Sequence, residues 1–118
     1  MAGVEIRDFS SPDETRSPEK TTVELVSLAG GQIGRYTFAP GWRWSECIKP
    51  AVGTESCQIE HIGYVVSGRL RIEHEDGSEG EAEPGAVYRV SPGHDAWVIG
   101  DEPAVFVEFQ GAANYAKP

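Results

Sequence analysis

The sequence predicts an all-β domain, a sandwich or barrel, from three observations. Turn signals punctuate most of the chain: Gly30-Gly31, Pro40-Gly41, Gly53, Ser67-Gly68, Asp76-Gly77, Pro84-Gly85, Pro92-Gly93 and Gly100-Asp101. Between them lie runs of about 4–10 residues rich in Val, Ile, Tyr, Phe and Trp, the composition of short strands. No segment carries a convincing helical period.

The elements follow in order. Residues 4–9 alternate Val, Ile and Phe with charged side chains and read as a leading strand, followed by a polar, Ser/Pro-rich arm, so 1–22 form an N-terminal strand and arm. Strands are expected over 23–28, 32–39, 42–48, 57–66, 69–75, 79–83, 87–90, 95–99 and 104–110. Asp76-Gly77 joins two of them as a hairpin. In 57–66 both parities carry apolar residues, so this strand is expected to be covered on both sides. Residues 112–115 allow one helical turn at most. The whole, 1–118, reads as one domain with its core in about 23–110; 118 residues suffice for a core without staples.

The net charge of −9 repels phosphate backbones and anionic lipid, so neither nucleic acid nor membrane is expected as a partner. No apolar run reaches the roughly 18 residues that span a bilayer. The polar start, 1–16, resembles no targeting segment, and a cytoplasmic location is expected. In that compartment Cys47 and Cys57 are expected as free thiols or metal ligands rather than a disulfide.

Two blocks of Gly and Pro carry a resemblance. Pro40-Gly41 opens the first, and 63–70, with Gly63 and Gly68, closes it. In the second, Gly85 is followed by five residues and then Ser91-Pro92-Gly93-His94. The chain from about 34 to 109 resembles the cupin superfamily, specifically its small single-domain members. The resemblance implies a cupin-type β-barrel, or jelly roll, a divalent metal in the barrel and a homodimer. The free edge of 4–9 suits pairing between copies.

The chain departs from that family's ligand pattern. His61, with six residues between it and Gly68, stands where the family places a Glu. Counted from Pro40-Gly41, the family's His-x-His pair falls on Cys47 and Lys49; counted back from His61, on Glu55 and Cys57. The last histidine position falls on Ala96, with His94 two residues earlier and on the same face. Segment 51–59 reads as an insertion. The usual set of three histidines and one glutamate is absent. A thiol and imidazole set stands in its place: His61, His94 and Cys47 or Cys57, with Glu46, Glu55 and Glu60 nearby as further donors.

Imidazole is the commonest metal ligand, and thiolate favours zinc over iron, nickel or manganese. His61 and His94 are also the candidate catalytic groups, since a neutral imidazole serves as a general base. Trp97, Tyr64 and Lys49 are candidates for the substrate pocket, with Trp42, Trp44 and Tyr88 as further aromatic liners and Arg43 as a further cation. The expected function is a divalent-metal barrel that binds or acts on a small organic molecule, as an isomerase, lyase, cyclase or dioxygenase. The alternatives are a metal-free sensor barrel for a small ligand, and a structural or dimerising piece.

Overall fold

The computed structural model describes residues 3–28, 30–112 and 115–116. Among them lie nine strands: β1 (Glu14–Arg16), β2 (Thr21–Leu28), β3 (Gly31–Phe38), β4 (His61–Ser67), β5 (Leu70–His74), β6 (Glu79–Ala82), β7 (Val87–Val90), β8 (His94–Val98) and β9 (Ala104–Gln110). Two helical turns, α1 (Trp44–Cys47) and α2 (Lys49–Val52), separate β3 from β4. The strands form a six-stranded sheet, ordered β1-β2-β3-β9-β4-β7, and a three-stranded sheet, β6-β5-β8. The described strand pairs are antiparallel. No helix among the described residues is long and apolar enough to cross a membrane.

Period-two burial makes the sheets. In β2 Thr21, Val23 and Leu25 are buried while Thr22 and Glu24 are half-exposed. In β3 Gly34, Tyr36 and Phe38 face inward, and in β9 Ala104, Phe106 and Glu108 do. These inward side chains, with Val65, meet Leu70, Ala82, Ala96 and Val98 of the smaller sheet in one core. Burying each large apolar side chain contributes about 1.5–3 kcal/mol. Phe38 stacks on Trp42 at 3.8 Å between centroids, and the Trp42 indole N–H donates to Thr21 Oγ1 at 2.9 Å.

The structure corrects three expectations. Residues 4–9 form no strand, and Val4 and Ile6 are exposed. Alternation assigns faces but supplies no partner. The free edge of β2 is taken by β1, with Glu14 opposite Leu25. The arm is held instead by Arg7, which donates to Ser27 O at 3.1 Å and to Asp13 Oδ1 at 3.0 Å. Segment 42–48 is mostly helical. Trp44, Cys47 and Ile48 bury at i, i+3 and i+4, a helical face that short aromatic spacing disguised as a strand. Pro50 lies in the first turn of α2, where a missing N–H costs nothing, and Gly53, with φ 78°, ends it. The strand expected over 57–66 begins only at His61; residues 58–60 belong to no strand, and Cys57 makes an isolated bridge to His94. The turn expected over 112–115 includes residues 113 and 114, which lie outside the described residues.

Candidate metal centre

His61 opens β4 in the larger sheet and His94 opens β8 in the smaller one. Period two turns His61, Gly63 and Val65 inward on one, and His94, Ala96 and Val98 on the other. The two imidazoles therefore meet across the barrel, with ring centroids 5.1 Å apart. Cys57 joins them through its backbone. Its N–H donates to His94 O at 2.8 Å, and the Gly93 N–H donates to Cys57 O at 2.7 Å. Gly93 has φ 103°, a conformation that favours glycine, so the turn before His94 depends on it. The Cys57 thiol lies 3.5 Å from His61 Nε2, and one donor atom each from Cys57, His61 and His94 lie within 4.8 Å of one another.

A second layer orients these donors. His61 Nδ1 donates to Glu108 Oε1 at 2.6 Å, and His94 Nδ1 donates to the Ser91 carbonyl at 2.8 Å. Each ring thus commits its Nδ1–H to an acceptor and leaves Nε2 for the centre, the usual arrangement of metal-binding histidines. Zinc–sulfur and zinc–nitrogen distances of about 2.3 and 2.0–2.1 Å place tetrahedral donors about 3.3–3.5 Å apart. The Sγ–Nε2 separation of 3.5 Å meets that spacing. One buried thiol and two imidazoles thus form a group that could hold a metal ion.

Proton affinities follow from the same contacts. Burial disfavours the His61 imidazolium, but the Glu108 charge and the ring's hydrogen bonds to Cys57 and Glu108 outweigh it and raise its pKa to about 10. Burial likewise opposes the Cys57 thiolate, but hydrogen bonds and charge from His61 and His94 lower its pKa to about 6. Without an ion the pair is therefore a thiolate beside an imidazolium.

Around the pair lies a barrel cavity of about 40 Å³. Its wall includes Tyr36, Tyr88, Glu108 and Tyr115 besides the histidines. The Tyr88 hydroxyl donates to Glu108 Oε2. Gly63 makes that possible, because a Cβ there would sit 2.7 Å from the Tyr88 oxygen and 2.6 Å from Val107 O. The space beside Gly63 is thus filled by Tyr88. The buried Tyr36 hydroxyl faces the same cavity without a hydrogen-bond partner in the structure. A polar groove of about 410 Å³ between β6 and β7 shares Ile72, Tyr88 and Val90 with this cavity.

Other candidates stand apart from the group. Cys47 is buried in α1, its sulfur 3.9 Å from Glu19 Oε2. The helical turns and segment 53–56 carry the chain away from it before Cys57 reaches His94. Lys49 pairs with Glu55 at 3.3 Å. Tyr64 points outward from β4, as the parity opposite to His61 requires. Trp97 has the parity opposite to His94, and its ring lies 4.4 Å under the Arg43 guanidinium. Glu46 is exposed, and Glu60 accepts from Arg89 Nε at 2.7 Å. Trp42, Trp44 and Tyr88 do line the barrel cavity. Sequence reasoning missed Glu108, although Ala104, Phe106 and Glu108 share one parity and an acid in an apolar inward row was the available signal. It also missed Tyr36 and Tyr115.

No protein-family model matches the chain, and no curated protein matches it in sequence. Solved structures do resemble it in fold. A structural-genomics protein from Rhizobium leguminosarum bv. viciae 3841 aligns with a TM-score of 0.63 at 22% identity, covering 92% of this chain and 99% of that one. A sugar phosphate isomerase of the cupin superfamily from Silicibacter pomeroyi DSS-3 aligns with a TM-score of 0.62 at 19% identity, covering 88% and 73%. KdgF from Halomonas sp. aligns with a TM-score of 0.57 at 19% identity, covering 83% and 87%. Two facing antiparallel sheets, a His-bearing strand on each and these neighbours together show that the chain has the cupin fold.

Proposed function

We propose that this barrel binds one divalent ion, zinc before iron, nickel or manganese, through Cys57, His61 and His94, and acts on a small organic molecule. The observation that carries the reading is the convergence of three buried donors whose two imidazoles each have Nδ1 already committed. When bound, such an ion supplies Lewis-acid polarisation of a carbonyl or stabilises an enolate. The chain's own residues divide the remaining work. Glu108 fixes the His61 ring and holds the proton on Nδ1. Tyr88 braces Glu108. The Tyr36 hydroxyl offers an uncommitted donor to whatever occupies the cavity.

A second reading, a metal-free binding barrel, has one observation in its favour. Cys57 and His61 already satisfy each other at 3.5 Å and need no ion to do so. Metal analysis of the purified protein separates the two. The enzyme reading expects one zinc per chain, lost in His61→Ala, His94→Ala and Cys57→Ala but kept in Cys47→Ala. Protein that takes up no ion from added zinc at equimolar level sinks it.

A homodimer belongs to the same reading as a proposal. Ile62, Tyr64, Val66, Val87 and Phe109 are exposed on the outer face of the larger sheet, with Tyr64 opposite Val87. Sedimentation equilibrium of the wild type against Val87→Glu tests it; a monomeric wild type ends it.

A further inference from the structure

We propose that a second cavity, which Cys57 helps to line, binds a compact, uncharged, mostly apolar molecule about the size of one six-membered ring. This cavity has a volume of about 140 Å³ and lies under α1 and α2. Trp44, Ile48, Val52, Ile59 and Tyr115 form most of its wall, and Cys57 belongs to the same wall.

Three observations carry the assignment. The first is size. Apolar cavities of about 150 Å³ stay dry and take up a benzene-sized molecule. The barrel cavity, about 40 Å³, has room for a few waters only. The outer groove between β6 and β7 is larger, but none of Cys57, His61 and His94 lines it. A ring-sized molecule therefore has room beside the donor group on the Cys57 side.

The second is polarity. Among the described residues no Asp, Glu, Lys, Arg or His lines the chamber. Of its polar liners, Thr54 Oγ1 donates to Ser56 O at 2.8 Å, and Gln58 Nε2 donates to Ser56 Oγ at 2.9 Å. A phosphate or carboxylate would lose its hydration there without a counter-charge, so charged molecules are disfavoured. The third is the origin of the wall. Val52, Thr54, Cys57, Gln58 and Ile59 come from the end of α2 and the segment between α2 and β4, where the strand pattern is interrupted, so this segment builds one side of the chamber. Trp44 and Tyr115 line both cavities and separate them.

The inference rests on the proposed metal centre only for what happens after binding; occupancy of the chamber does not require an ion. The test is fluorobenzene titrated into the metal-free full-length protein and followed by fluorine NMR. Saturable binding is expected in the wild type. Val52→Trp fills the chamber from the half-buried face of α2 and is expected to weaken binding by about tenfold or more. Thr54→Phe is a second filling variant, and Ile72→Phe, on the barrel side, is expected to leave binding unchanged. Benzoate is expected not to compete. Far-ultraviolet circular dichroism and cooperative urea unfolding like those of the wild type report that each variant's fold is intact. No saturable binding to the wild type overturns the proposal, as does binding unchanged in both filled variants or abolished by Ile72→Phe. Wild type that binds fluorobenzene but no zinc removes the metal reading and keeps the chamber; zinc without fluorobenzene does the reverse.

Discussion

Glu108 and His61 sit on neighbouring strands, β9 and β4, and their side chains meet inside the barrel with Oε1 2.6 Å from Nδ1. This contact decides the chemistry of the imidazole. It settles which ring nitrogen carries the proton, aims Nε2 at Cys57 and raises the proton affinity of the ring.

Glu108→Gln keeps the shape of that contact and removes its charge. The expected result is zinc affinity lower by about 10–100-fold, the usual cost of losing an outer-shell carboxylate. Competition against a chelator measures it. An affinity equal to that of the wild type shows that Glu108 does not orient the ligand.

Protonation of the metal-free protein gives a second expectation. Cys57, lowered from 9 to about 6, adds stability that is complete above pH 9 and is lost as pH falls through about 6. His61, raised from 6.5 to about 10, adds stability that is complete below pH 6.5 and is lost as pH rises through about 10. The two slopes oppose each other, so stability has a plateau from about pH 6.5 to 9 and declines on both sides. The thiolate itself is visible by ultraviolet absorbance in a Cys47→Ala background. Its transition is expected near pH 6, moving upward in His61→Ala; a transition at the ordinary thiol value in both proteins refutes the ion pair.

Two tyrosines on the cavity wall should respond oppositely to loss of the hydroxyl. Tyr36 buries an oxygen that makes no hydrogen bond in the structure, so Tyr36→Phe removes an unsatisfied group and is expected to be neutral or stabilising by about 1 kcal/mol. Tyr88 donates to the Glu108 carboxylate, so Tyr88→Phe is expected to cost about 1.5–3 kcal/mol. Urea unfolding of the two variants checks the contrast, which fails if both lose stability equally.

Gly63→Ala tests the packing that lets Tyr88 reach Glu108. The added methyl meets the backbone oxygen of Val107, which cannot swing aside as a side chain can. A loss of about 1–3 kcal/mol is expected, within the usual cost of overpacking. Thermal unfolding reads it, and an unchanged Tm shows that the strands yield there.

Much of this protein was written in local pattern. Recurrent Gly, Pro and Asp-Gly turns with β-rich runs between them announced an all-β chain, and period two put His94 on the face of Ala96, because parity along a strand is a property of nearby residues. Parity names a face without naming what lies across from it. Only the folded chain decided that Cys57 rather than Cys47 joins the histidines, since that choice depends on two helical turns absorbing the residues between them. Glu108, 47 residues from His61 in the chain, reaches it only because β9 pairs with β4, and a pairing of distant strands is a tertiary event.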